Sequence, residues 1–146
     1  MYDSWVSQIE SDVLTYIQYQ LIEKVDAPFP SLNCTTANEN ETVEGVSDFP
    51  TLYVHLLPPV EIGNTLFNDD VCAVRATFEL QFYSLSQTEL KDIIDACIRI
   101  MKHLQFNVPL FPDPQTSDGK HFAIARFSRV LSSGELNYLM EDDFSV

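Results

Sequence analysis

The residues able to do chemistry are few, and they are scattered. His55, His103 and His121 stand on three separate segments, without the H-E-x-x-H spacing or the Cys/His pairing that brings ligands onto one metal. Surface or hydrogen-bonded histidine is therefore the expectation. Gly45, Gly63, Gly119 and Gly134 are each isolated, so no phosphate-cradling loop can be built and nucleotide binding of the P-loop or Rossmann kind is excluded. Cys34, Cys72 and Cys97 are an odd set without paired spacing, which argues against a disulfide framework. Cys72 and Cys97 fall on apolar faces, where a thiol is a small hydrophobe; Cys34 falls in a loop. A cysteine–histidine dyad assembled in space finds no support above background. Asp69-Asp70 and Glu141-Asp142-Asp143 lack the spacing of a calcium loop and read as a solvated turn and tail. No catalytic residue, metal ligand or cofactor is expected.

Charge is more informative. The net charge is −14, but residues 1–70 hold 12 acids against one base, residues 71–134 hold 6 acids against 7 bases, and residues 135–146 hold 4 acids and no base. Such a chain repels a nucleic-acid backbone at long range. It suits a basic partner, or a surface on which DNA must not stick; plain solubility is the simpler alternative. Arg75, Arg126 and Arg129 belong to the balanced block. Because the first block has no internal balance, at least one of them is expected to pair with acids of an adjacent chain. The alternative is an ordinary surface ion pair worth about 0–1 kcal/mol.

The elements that position these residues centre on Val71 to Leu104. Cys72, Val74, Ala76, Phe78, Leu80 and Phe82 alternate with Arg75, Thr77, Glu79, Gln81 and Tyr83, the period of a half-buried strand. Ser86 stands three before Glu89 as in a capping box. Leu90, Ile93, Ile94, Cys97, Ile98, Met101 and Leu104 then put one apolar stripe on a helix. Thirteen strand residues span roughly 43 Å and eighteen helical residues roughly 27 Å. The strand end near Asn68 to Ala76 therefore needs other cover, from the first helix, a bulge or a neighbouring subunit.

Before this pair, Ser4 to about Glu23 is an amphipathic helix with Trp5, Ile9, Val13, Tyr16, Ile17 and Leu21 on one face, stopped by Pro28 and Pro30. Residues 31–50 form an acidic loop or arm carrying Glu39, Glu41, Glu44 and Asp48, either a mobile excursion without function or an arm that orders on a neighbour. Thr51 to Leu56 is a short strand ended by Pro58-Pro59, and the connection through Asn68-Asp69-Asp70 makes it a hairpin with the long strand. Val60 to Phe67 extends one strand or the other.

After the second helix, Pro109, Pro112 and Pro114 make residues 106–119 an irregular loop. His121 to Leu131 is a strand apolar on both faces, with Arg126 and Arg129 interrupting one each, and so is expected to be buried on both sides. Leu136 to Met140 pairs as a last short strand. The sum is one domain over residues 1–146, α+β, with a mostly antiparallel sheet, a long hairpin and two flanking amphipathic helices in the order α-β-β-α-β-β. No apolar run approaches the ~20 residues of a membrane span, and Met1-Tyr2-Asp3-Ser4 lacks the regions of a signal peptide. A soluble, intracellular protein is expected, so Asn33-Cys34-Thr35 and Asn40-Glu41-Thr42 match the glycosylation pattern by chance.

This order of elements, with the helix introduced by Ser86-Gln87-Thr88-Glu89, Asp95-Ala96-Cys97 within it, and the strand bearing Arg126-Phe127-Ser128-Arg129-Val130, resembles the tail terminator (tail completion) proteins of long-tailed bacteriophages. The similarity covers roughly Ser4 to Leu131 and lies in arrangement, since the family has no diagnostic motif; the 31–50 arm and the 106–119 loop match no family pattern. The resemblance implies a structural virion protein of the neck: a ring, usually of six, that stops tail-tube growth and offers a surface to the head connector. The implied partners are the chain itself, the tail tube protein and the head-side connector, with DNA passing through unbound and no membrane. Asn68, Asp69, Asp70, Arg75, Arg126 and Arg129 would then be candidates for subunit or tail contacts, and Glu39, Glu41, Glu44 and Asp48 for an acidic arm or lumen. A connector or head-closure ring is the nearest alternative, an acidic inhibitor that imitates DNA a second, and a small enzyme with an unrecognised site a third.

Overall fold

The sheet is built on β4 (Ala73–Ser84), the long strand of the alternating pattern. The computed structural model describes residues 4–36, 48–62 and 73–141. Val74, Ala76, Phe78, Leu80 and Phe82 are buried on one side of β4, while Arg75, Thr77, Glu79 and Gln81 are more open on the other. β2 (Thr51–Leu56) and β7 (Lys120–Ser132) flank it, both antiparallel, and β7 follows it from Ser84↔His121 to Ala73↔Ser132. β3 (Val60–Glu61) resumes the β2 side, with Val60 opposite Arg75. Leu57 still donates its N–H to Thr77 at 2.9 Å, but Pro58 and Pro59 have none to give, which separates β2 from β3. β5 (Asn107–Leu110) and β6 (Gln115–Ser117) lie on the free side of β7, and β1 (Asn33–Thr35) runs parallel to β2. The order across the sheet is β1-β2-β4-β7-β5, with one parallel pair making it mixed.

One face of this sheet carries the helices. α1 (Ser4–Ser7) and α2 (Ile9–Gln18) lead into a wider turn at Tyr19–Glu23, in which Lys24 N–H reaches the Tyr19 carbonyl. Ile9, Val13, Tyr16, Ile17 and Leu21 are buried as the periodicity requires. α3 (Gln87–His103) buries Leu90, Ile93, Ile94, Cys97, Ile100 and Met101 on the same sheet face. Ser86 Oγ accepts the Glu89 N–H at 3.2 Å, as expected, but the box closes through a relay: Ser84 Oγ donates to the Glu89 carboxylate at 2.7 Å and accepts the Ser86 N–H at 3.0 Å. At the other end Phe106 N–H returns to Met101 and Gln105 N–H to Lys102, a Schellman closure with Gln105 at φ 67. Phe106 is thereby turned into the core, edge-on to Phe78 at 5.7 Å.

The structure corrects several expectations. Leu136–Met140 is not a strand but most of α4 (Glu135–Met140), because Gly134 at φ 81 turns the chain and Glu135 reaches back to the Ser132 N–H at 3.1 Å. Residues 106–119 are not wholly irregular: β5 and β6 pair with β7, and Pro109 is tolerated because β5 is an edge strand with a register shift. Cys34 lies in β1, not in a loop, and is buried. At the start of β4, Val74 and Ala76 are buried within the chain itself, so no neighbouring subunit is needed to cover them, while Asn68 to Cys72 of that expected strand end lie outside the described residues. Finally, β7 is not buried on both sides: Ala123, Ala125, Phe127 and Leu131 are, whereas Ile124 is 40% and Val130 39% exposed.

Candidate functional site

The exposure of Ile124 and Val130 marks the face of the sheet opposite the helices as the surface to explain. No described helix lies on it. Its side chains are the outward alternates of β2, β4 and β7, and they are wired to one another. Arg126 stands in register with Glu79 and donates Nε and Nη2 to Glu79 Oε2 at 3.2 and 3.1 Å. Gln81 Nε2 donates to Glu79 Oε1 at 3.0 Å, and Tyr83 Oη donates to Gln81 Oε1 at 3.0 Å. The ladder ends on an aromatic corner, Tyr53 edge-on to Tyr83 at 5.7 Å and Phe122 stacked on Tyr83 at 6.4 Å. This order costs side-chain freedom in advance, so a partner meeting the face loses less entropy on binding.

Beside the ladder is a shallow open groove of about 480 Å³ whose lining includes Arg75, Thr77, Asn107, Pro109, Arg126 and Ser128. Thr77 Oγ1 bonds Ser128 Oγ at 3.2 Å across its floor. Arg75 is exposed and has no ion pair among the described residues. The groove therefore presents a guanidinium at each side of a hydroxyl floor, which suits a carboxylate or another planar anion.

The three candidate arginines do three different things. Arg75 is exposed, and Arg126 is shared between Glu79 and the groove. Arg129 points to the helix side, only 9% exposed, where Nη1 donates to the Leu104 carbonyl at 2.7 Å and Nη2 to Glu135 Oε2 at 2.7 Å. It ties α3, β7 and α4 together. Burial pushes the Glu135 pKa up, but the Ser132 N–H bond and the Arg129 charge outweigh it and leave the carboxyl below its ordinary value. Asp48 is exposed, and its carbonyl accepts the Thr51 hydroxyl. Asn68, Asp69, Asp70, Glu39, Glu41 and Glu44 lie outside the described residues.

Among the described residues the histidines and cysteines form no competing constellation. His55 Nδ1 is 3.3 Å from Glu10, His121 Nδ1 is 2.9 Å from the Thr116 hydroxyl, and His103 Nε2 is 3.1 Å from the Leu139 carbonyl. Among the described residues no three His, Cys, Asp or Glu side chains converge on a metal position. Burial raises the Cys34 thiol to about 12, and Cys97 is raised by burial and then by Cys34 nearby, so neither is a ready nucleophile. No family model matches the chain, and no curated protein is significantly similar to it. No described helix is long and apolar enough to cross a membrane.

The sequence does not mark Thr77, Asn107, Pro109 or Ser128 as site residues. Outward alternation on β4 and β7 marks Thr77 and Ser128 as surface residues, but only the register, with Thr77 opposite Ser128 and Ser128 opposite Asn107, makes them neighbours.

Proposed function

We propose that this chain is a structural virion protein of the bacteriophage neck, a tail terminator whose copies form a ring, of six, on the end of the tail tube. The ring stops tube polymerisation and provides the joint to the head-side connector. The observation that carries this reading is the open sheet face. An antiparallel sheet commonly leaves one face to water, but here that face displays Ile124, Val130, Val60 and Leu110, all partly or largely exposed, beside a preordered polar ladder. Exposed apolar side chains gathered on one ordered face indicate a surface made for contact. The arrangement of elements resembling the terminator family supplies the kind of contact, and the acid excess supports a lumen along which DNA slides without adhering.

In this reading the protein is not an enzyme and needs no cofactor. Its partners are itself, the tail tube protein and the connector or closure protein, and it passes from host cytoplasm into the virion. The test is to add the purified chain to tube subunits polymerising in vitro and follow tube length by negative-stain microscopy. A terminator arrests growth and leaves extra density at one end of each tube. Tubes that lengthen as fast with the chain as without it, and carry no cap, would remove the proposal.

A further inference from the structure

We propose that the groove between Arg75 and Arg126 is the seat for the acidic turn at residues 23–26 of a second copy of this chain, so that the helix side of one copy covers the open sheet face of the next. The inference rests on reading the chain as self-assembling, and not on its place in a phage.

The groove asks for a carboxylate with an apolar companion. Arg75 stands in register with Val60 on one side and Val130 on the other, Arg126 is opposite Leu110, and Pro109 forms a wall. A cationic groove with apolar edges is poorly matched to itself, so two copies do not join groove to groove. It is well matched to the rest of the molecule, because residues 1–70 carry 12 of the 22 acids and one base. A second copy is thus a source of complementary charge at the same concentration as the groove itself.

Within that block one described feature has the right shape. The chain leaving α2 turns through Asp26 at φ 66, with Glu23 and Asp26 exposed around Val25, which is 88% exposed. The turn is held in place: Ala27 N–H bonds the Lys24 carbonyl at 3.1 Å, Phe29 N–H bonds the Leu21 carbonyl at 2.9 Å, and Lys24 Nζ is drawn back to Gln20 Oε1 at 2.8 Å. A rigid turn that presents an aliphatic side chain between two carboxylates loses little freedom on docking. Val25 would pack on Pro109 while Asp26 and Glu23 meet Arg75 and Arg126. The turn follows a helix on the covered face and the groove opens on the other. Copies therefore join back to front through two different patches, the heterologous contact from which a ring or an open helix is built.

The test uses two single variants of the full chain, Arg75→Glu, which spoils the groove, and Asp26→Asn, which spoils the turn. Both positions are exposed, and melting curves check that both variants fold. Sedimentation equilibrium from ~10 μM to ~1 mM should show self-association of the native chain that weakens with salt, and a loss of roughly tenfold or more in each variant. An equimolar mixture of the two variants should form a dimer and nothing larger, since the mixture retains one good turn and one good groove. Pairing Arg75→Glu with Asp26→Lys in one chain should restore association in part. A native chain that stays monomeric to ~1 mM, variants that associate like the native chain, or a mixture that stays monomeric overturns the inference. Association by these patches in a chain that ignores tail tubes would sink the terminator reading alone, and tube capping unaffected by either variant would sink this one alone.

Discussion

The two faces of the sheet are made from the same strands and solve opposite problems. On the helix side Phe78, Leu80, Phe82, Ala125 and Phe127 are fully or almost fully buried, and the one charged side chain buried among the described residues, Arg129, is consumed by a carbonyl and a carboxylate. On the other side Arg126, three residues away, is half exposed and holds only Glu79. The first face is finished by this chain alone, whereas the second is ordered but left open. Stability should therefore depend on the first and association on the second.

The largest expected difference comes from deleting matched side chains. Phe78→Ala opens a cavity under α3 and should cost roughly 3–5 kcal/mol in denaturant titration, while Ile124→Thr on the open face should change stability by less than about 0.5 kcal/mol. Equal costs would break the comparison. Next come the arginines. Arg129→Ala strands the Leu104 carbonyl and the Glu135 carboxylate and should cost roughly 3 kcal/mol, whereas Arg126→Ala should cost less than about 1 kcal/mol. The Glu135 pKa is lowered in the folded state, so its contribution is present above the unfolded carboxyl pKa and is lost as pH falls through the lowered value. Acid unfolding curves of native and Arg129→Ala chains should converge across that window.

Smaller effects should touch only the covering layer. Ser86→Ala removes the N-terminal cap of α3 and should cost roughly 1 kcal/mol in thermal unfolding. Gln105→Gly relieves the left-handed residue at its C-terminus and should gain roughly 0.5–1 kcal/mol. Neither should alter self-association beyond its effect on folding, and a change in association without a change in stability would show that the two faces are coupled.

Sequence alone reached the parts whose patterns are local. β2 was expected at Thr51 to Leu56 and is found there, and the β4 alternation and α3 stripe are read directly from side-chain period. β1, β5 and β6 escaped because three- and four-residue edge strands have no period of their own and exist only through pairing with β2 and β7. α4 is hidden because six residues are too few to show a helical period, and it exists through the Gly134 turn at φ 81 and the return of Glu135 to the Ser132 N–H. The groove was legible only in fragments. Arg75, Arg126 and Arg129 all stand out in the sequence as cations beside an acid excess, but that Thr77, Ser128 and Asn107 lie between the first two is a fact of register.

Glu10 has a further consequence. Beyond the reach of β1, the Leu56 N–H points to the outer edge of the sheet, and the Glu10 carboxylate from α2 fills it at 2.8 Å, just before two prolines that have no N–H at all. An incoming strand finds its docking rail already occupied there. Molecules crowded together in solution can thus collide along this margin without zippering backbone to backbone into fibrils.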